Sequence, residues 1–154
     1  MKLEPGDKAP GFQLAADGGG KISLSDLKGH PFVLYFYPKD DTAGCTREAV
    51  DFSENLKSFT KLGVNVVGVS KDSVASHDRF KTKYKLKHTL GSDSAIEMAQ
   101  AYGVWGEKTL YGRKYMGMER ATFLVDAKGV IRHTWRKVRV PGHVEAVLAA
   151  VRSL

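Results

Sequence analysis

The sequence predicts an α/β fold: a central mixed β-sheet flanked by helices, with a β-hairpin at the N-terminus, in one domain over residues 1–154. Three observations carry this. Pro31 to Tyr37 is apolar without alternation, which is how a strand buried on both faces reads. The period then changes. Ala49, Phe52, Leu56 and Phe59 step by 3, 4 and 3, while Arg47, Glu48, Asp51, Glu54 and Lys57 fill the other side, so an amphipathic helix runs from Thr42 to Leu62 and stops at Gly63. Val64 to Ser70 is a second apolar strand. Strand, helix and strand form a βαβ unit with parallel strands and a right-handed crossover.

The remaining elements follow in order. Gly18-Gly19-Gly20 turns between two short strands near Phe12–Ala15 and Lys21–Ser23. No P-loop lysine follows these glycines, so they are not a phosphate cradle. Ser25 to Gly29 reads as one helical turn closed by glycine. Ser73 to Tyr84 is helical, capped by Ser73 or Asp72, and Lys87 to Gly91 is a short strand. Ala95 to Tyr102 is a helix ended by Gly103. Val104 to Tyr115 mixes Gly, Lys and aromatics and is expected to be an irregular loop. Ala121–Val125 and Val130–Trp135 are strands joined by a turn, and a helix runs from Pro141 to Leu154 with Val144, Val147, Leu148 and Val151 on one face. This order matches a thioredoxin-like arrangement and also fits other α/β sandwiches.

Composition narrows the function. Hydrophobic content of 42% and charged content of 27% are ordinary for a globular protein. The N-terminal segment lacks the apolar core of a signal peptide, and the longest apolar run is too short to span a bilayer, so a cytoplasmic location with no membrane partner is expected. One cysteine excludes an intramolecular disulfide, and the five histidines have no metal-ligand spacing, so no metal is expected. The net charge of +7 is spread along the chain. Its densest cluster, Arg132, Arg136, Lys137 and Arg139, reads as a solvated face, and no nucleic-acid partner is expected.

The informative residue is Cys45. It sits where the first apolar strand hands over to the amphipathic helix. With Thr42 as N-cap, Cys45 is the third helical residue, facing unpaired N–H groups and the positive end of the helix dipole. Both favour the thiolate, the reactive form of a cysteine. Helical spacing by itself is equally satisfied by an inert thiol, because Cys45 also continues the apolar stripe of Ala49.

The loop chemistry decides between them. Pro38-x-x-x-Thr42-x-x-Cys45 resembles the peroxidatic motif of the peroxiredoxins, and the run from Phe36 to Ala49 resembles their bacterioferritin comigratory protein, or PrxQ, branch. Blocks at Gly6–Phe12, Gly68–Ser73, Gly103–Lys108 and Arg120–Asp126 extend the resemblance over nearly the whole chain.

The resemblance implies a thioredoxin-like fold and an antioxidant thiol peroxidase without cofactor, acting on hydrogen peroxide and organic hydroperoxides. It implies Cys45 as nucleophile, with Arg120 holding the thiolate and polarising the peroxide. A unit charge ~4 Å away is worth about 4 kcal/mol at an effective dielectric of 20. Thr42 is implied as a donor to peroxide or sulfur, and it stands where a thioredoxin has its first cysteine. Pro38 is implied to shield the pocket, Gly44 to offer a backbone N–H, and Glu48 to orient Arg120. The chain departs from many relatives in having Val50 where they have a second cysteine, no cysteine from Arg79 to Lys83, and Ala43 where the family has proline. A one-cysteine enzyme is implied, its sulfenic acid resolved by a small thiol, glutaredoxin, thioredoxin or a second copy, and a monomer is expected.

Overall fold

The structure, a computed structural model, describes residues 2–154. These residues form nine strands and six α-helices. Strand β1 (Gln13–Ala16) and β2 (Lys21–Ser23) form the N-terminal hairpin around a single 3-10 turn at Asp17–Gly19. A short helix α1 (Leu24–Leu27) follows, opened by a reciprocal capping box between Ser23 and Asp26. Strand β3 (Phe32–Phe36) is buried at every residue. Helix α2 (Ala43–Glu54), helix α3 (Leu56–Lys61) and strand β4 (Asn65–Ser70) complete the βαβ unit, with β3 and β4 parallel. Helix α4 (Val74–Tyr84), strand β5 (Thr89–Ser92) and helix α5 (Glu97–Ala101) come next. Then follow β6 (Trp105–Leu110), β7 (Arg113–Met118), β8 (Ala121–Val125), β9 (Ile131–Trp135) and helix α6 (His143–Arg152).

Seven strands make one sheet in the order β2-β1-β5-β4-β3-β8-β9, mixed because β3, β4 and β5 are parallel while β1 and β8 run against them and β9 runs against β8. Alternate residues of β3 feed two cores. Phe32, Leu34 and Phe36 pack with Met98, Ala99 and Tyr102 of the α5 side. Val33, Tyr35 and Tyr37 pack with Cys45, Ala49 and Phe52 of α2 and with Val144, Val147 and Val151 of α6. Tyr35 stacks on Phe52 at 4.5 Å between ring centroids. Gly68 makes room for it: a Cβ there would lie 2.6 Å from the Tyr35 ring.

Two expectations are corrected. Val104 to Tyr115 is not an irregular loop. It holds β6 and enters β7, an antiparallel hairpin standing apart from the main sheet. Its two-residue turn, Tyr111-Gly112, has φ of 51° and 77°, the backbone of the primed hairpin turns. The helix from Thr42 is also not continuous to Leu62. It breaks at Asn55, whose side-chain amide donates to the Asp51 carbonyl at 2.8 Å and so competes with the helical ladder.

Candidate active site

Sheet register brings two distant stretches together. In the antiparallel pairing of β3 and β8, Phe36 faces Ala121, so Arg120 lies beside the exit of β3, where the chain turns into α2. Parallel strands of such sheets gather functional groups at this carboxyl end.

Cys45 is the third residue of α2 and is 1% exposed, because it shares the inward stripe of Ala49 and Phe52. Arg120 Nη2 donates to Cys45 Sγ at 3.3 Å, and Nη1 donates to Glu48 Oε1 at 2.8 Å. Glu48, three positions after Cys45, lies on the same helix face. One planar fork therefore holds both groups, which a lysine could not do. Gly44 lets the fork lie close over the first turn, since a Cβ there would be 3.2 Å from Arg120 Nη2.

The electrostatics are those of a buried triad. Burial pushes the Glu48 carboxyl up to about 7, against the pull of Arg120. Its second oxygen, Oε2, is buried without a hydrogen-bond partner. Burial opposes the charge on Arg120, but Glu48 and Cys45 outweigh it and its pKa is raised. A fixed cation within hydrogen-bond reach of sulfur stabilises negative charge there.

Thr42 is the N-cap residue, as its position predicts, but its hydroxyl does not cap the helix. It donates instead to the Lys39 carbonyl at 2.9 Å. Pro38 is half-buried and lines a neighbouring pocket rather than the contact between Cys45 and Arg120.

Beneath the loop lies a network with no sequence signal, because its members are far apart in the chain. Asp40 accepts from Tyr37 Oη at 2.6 Å and from Ser76 Oγ at 2.8 Å, and faces His77 Nδ1 at 2.7 Å. His77 Nε2 lies 2.9 Å from the Gly91 carbonyl. A carbonyl and an ionised carboxylate only accept, so this arrangement favours a ring that donates from both nitrogens, its charged form. Burial works against that charge, and the hydrogen bond and charge of Asp40 override it, so the His77 pKa is raised. The Asp40 N–H donates to Asp72 Oδ2 at 2.8 Å, which ties the loop to the end of β4.

Comparison with known proteins shows the family. Residues 5–134 match the AhpC/TSA family. Peroxiredoxin Bcp of Bacillus subtilis is 45% identical over 154 residues, covering 100% of this chain and 98% of that protein. The chain belongs to the peroxiredoxins, in their Bcp/PrxQ branch. Xylella fastidiosa PrxQ superposes with a TM-score of 0.94 at 38% identity, covering 99% of this chain and 98% of that one. The bacterioferritin comigratory protein of Xanthomonas campestris superposes with a TM-score of 0.88 at 44% identity, covering 92% and 90%. The fold is therefore thioredoxin-like, and this peroxiredoxin is a thiol-dependent peroxidase. It has a single cysteine. No helix among the described residues is long and apolar enough to cross a membrane.

Proposed function

We propose that this single-domain peroxiredoxin reduces hydrogen peroxide and organic hydroperoxides with Cys45 as nucleophile and an external thiol as reductant. The reading rests on one observation: the guanidinium of Arg120 bonds both Cys45 Sγ, at 3.3 Å, and Glu48, at 2.8 Å. The Cys45 thiolate attacks one peroxide oxygen. An S–O bond forms as the O–O bond breaks, and the second oxygen leaves as hydroxide or alkoxide and takes a proton from water. Sulfur is oxidised by two electrons to the sulfenic acid. Arg120 stabilises the charge as it passes from sulfur to the leaving oxygen. Thr42 exchanges the Lys39 carbonyl for the bound peroxide. The N–H groups of Gly44 and Cys45, at the open end of α2, face the same oxygen, and Pro38 limits water on one side. Glu48 positions Arg120.

Resolution needs a second molecule, because no other cysteine exists. An incoming thiol displaces water from the sulfenic acid to give a mixed disulfide, and a second thiol releases Cys45. Glutaredoxin, thioredoxin or a small thiol, all supplied by the cytoplasm, fit this role, and the working unit is a monomer. The alkyl peroxide reduction activity of the Xanthomonas campestris relative supports the organic substrates.

Turnover of hydrogen peroxide with glutathione plus glutaredoxin, with reduced thioredoxin and with dithiothreitol tests the reading. Sustained turnover with at least one of them, and a trapped mixed disulfide on Cys45, is expected. No turnover with any thiol, with Cys45 left unmodified, would overturn it.

A further inference from the structure

We infer that the tip of the β6–β7 hairpin docks on anionic bilayer surfaces, a peripheral contact that goes beyond the proposed function and does not rest on Cys45. Among the described residues, four of the six exposed large apolar side chains lie on this one hairpin: Leu110 at 55%, Tyr111 at 96%, Tyr115 at 46% and Met116 at 56% exposed. Single exposed apolar residues need no explanation, but a cluster marks an interaction site. The turn points the same way. Tyr111 holds φ of 51°, a position that asparagine or glycine fills at less cost, and its ring is left in water.

Register decides between a protein groove and a fluid surface. Residues paired across two strands share a face of the ribbon. Lys108–Tyr115 and Leu110–Arg113 lie on one face, and Glu107–Met116 and Thr109–Lys114 on the other. Apolar side chains therefore project from both faces and from the tip. A protein partner covers one face of such a ribbon, whereas a headgroup layer surrounds it. The cations are divided in the same way, Lys108 and Arg113 on the first face and Lys114 on the second, against one acid, Glu107. Lys114 and Glu107 stand 3.7 Å apart and are both exposed, a pair too weak to neutralise the ribbon. The excess of positive charge complements anionic lipid.

The backbone sets the depth. A hairpin turn leaves peptide groups outside the ladder, and hydrocarbon offers them no partner, so the tip stops among the headgroups. Tyrosine rings favour that level, and lysine and arginine stems lie along apolar groups while their charges reach phosphate. This is adsorption to a surface, distinct from the spanning that the short apolar runs exclude.

The test is co-sedimentation of the protein with phosphatidylcholine vesicles, with and without phosphatidylserine. Binding is expected only where phosphatidylserine is present, and it should weaken as salt rises. Replacing the tip, Leu110→Ser with Tyr111→Ser, should cut partitioning by about tenfold or more, and Arg113→Gln by about fivefold. Leu62→Ser, which removes an exposed apolar residue outside the hairpin, should leave binding unchanged. Cys45→Ser should bind as wild type does, which separates this result from the fate of the proposed function. No binding to either vesicle, or binding that the tip double variant keeps in full, would overturn the proposal. A tip-dependent dimer in gel filtration without vesicle binding would also overturn it, and would give the tip to a second copy.

Discussion

A guanidinium holds sulfur with one nitrogen and a buried carboxylate with the other, and the proposed function rests on this residue-scale contact. Arg120→Lys keeps the charge and loses the fork. Cys45 oxidation by hydrogen peroxide is expected to slow by about 10²-fold or more, read by single-turnover kinetics. Glu48 titrates near neutrality because burial raises it to about 7. Above that value it is charged and holds Arg120. Below it, protonation loosens the pair, so the wild-type rate should show an inflection near pH 7 that Glu48→Gln lacks. The sign for stability is opposite. A raised carboxyl makes the folded state hold its proton more tightly, so ionisation costs stability as pH rises from about 4.5 to about 7. Melts of Glu48→Gln against wild type should shift in favour of the variant across that window. Cys45, Arg120 and Glu48 were legible because a short motif and a colinear block carried them. Asp40 was not, since what makes it special is the set of partners it meets across the fold.

At the scale of elements, the loop before α2 is held from below by the Asp40–His77 pair. Removing one partner strands a buried charge. His77→Leu should destabilise by about 3–5 kcal/mol in urea unfolding. The His77 pKa is raised, so its contribution is full below the usual value of 6.5 and is lost as pH rises through the folded value. A wild-type decline in stability on that alkaline side, absent in His77→Leu, is the expected signature. The β3–α2–β4 unit was readable from periodicity, because burial on both faces leaves an unbroken apolar run in β3. The β6–β7 hairpin was not. It stands outside the main sheet with little burial, so its strands carry no alternation, and its turn puts Tyr111, an unusual residue, at positive φ. The break at Asn55 was hidden for a related reason: Leu56 and Phe59 keep the apolar spacing across it.

At the scale of the whole molecule, two buried histidines add to its acid sensitivity. His88 is sandwiched between Tyr35 Oη at 2.6 Å and Ser53 Oγ at 2.9 Å, and burial pushes it down to about 3. His143, against Thr122 Oγ1 at 2.7 Å, is pushed down to about 4 by burial and then by Arg120. The unfolded chain protonates both near the usual 6.5 while the folded chain does not, so stability falls as pH drops below that value. Thermal melts from pH 7 to pH 4 should favour His143→Gln over wild type increasingly as pH falls, because the variant lacks this titration. Surface charge is partly consumed within the fold: in the basic cluster after β8, Arg132 faces Asp126 at 3.4 Å and Arg136 binds Glu119 at 2.7 Å. The central claim is that Cys45 is the peroxide-reacting group, and it is tested most directly by mixing reduced protein with hydrogen peroxide in a stopped-flow instrument and following Trp105 and Trp135 fluorescence. A fast, peroxide-dependent change that Cys45→Ser abolishes, with one oxygen added at Cys45 by mass spectrometry, is the expected result. An unchanged signal and an unmodified thiol would contradict it.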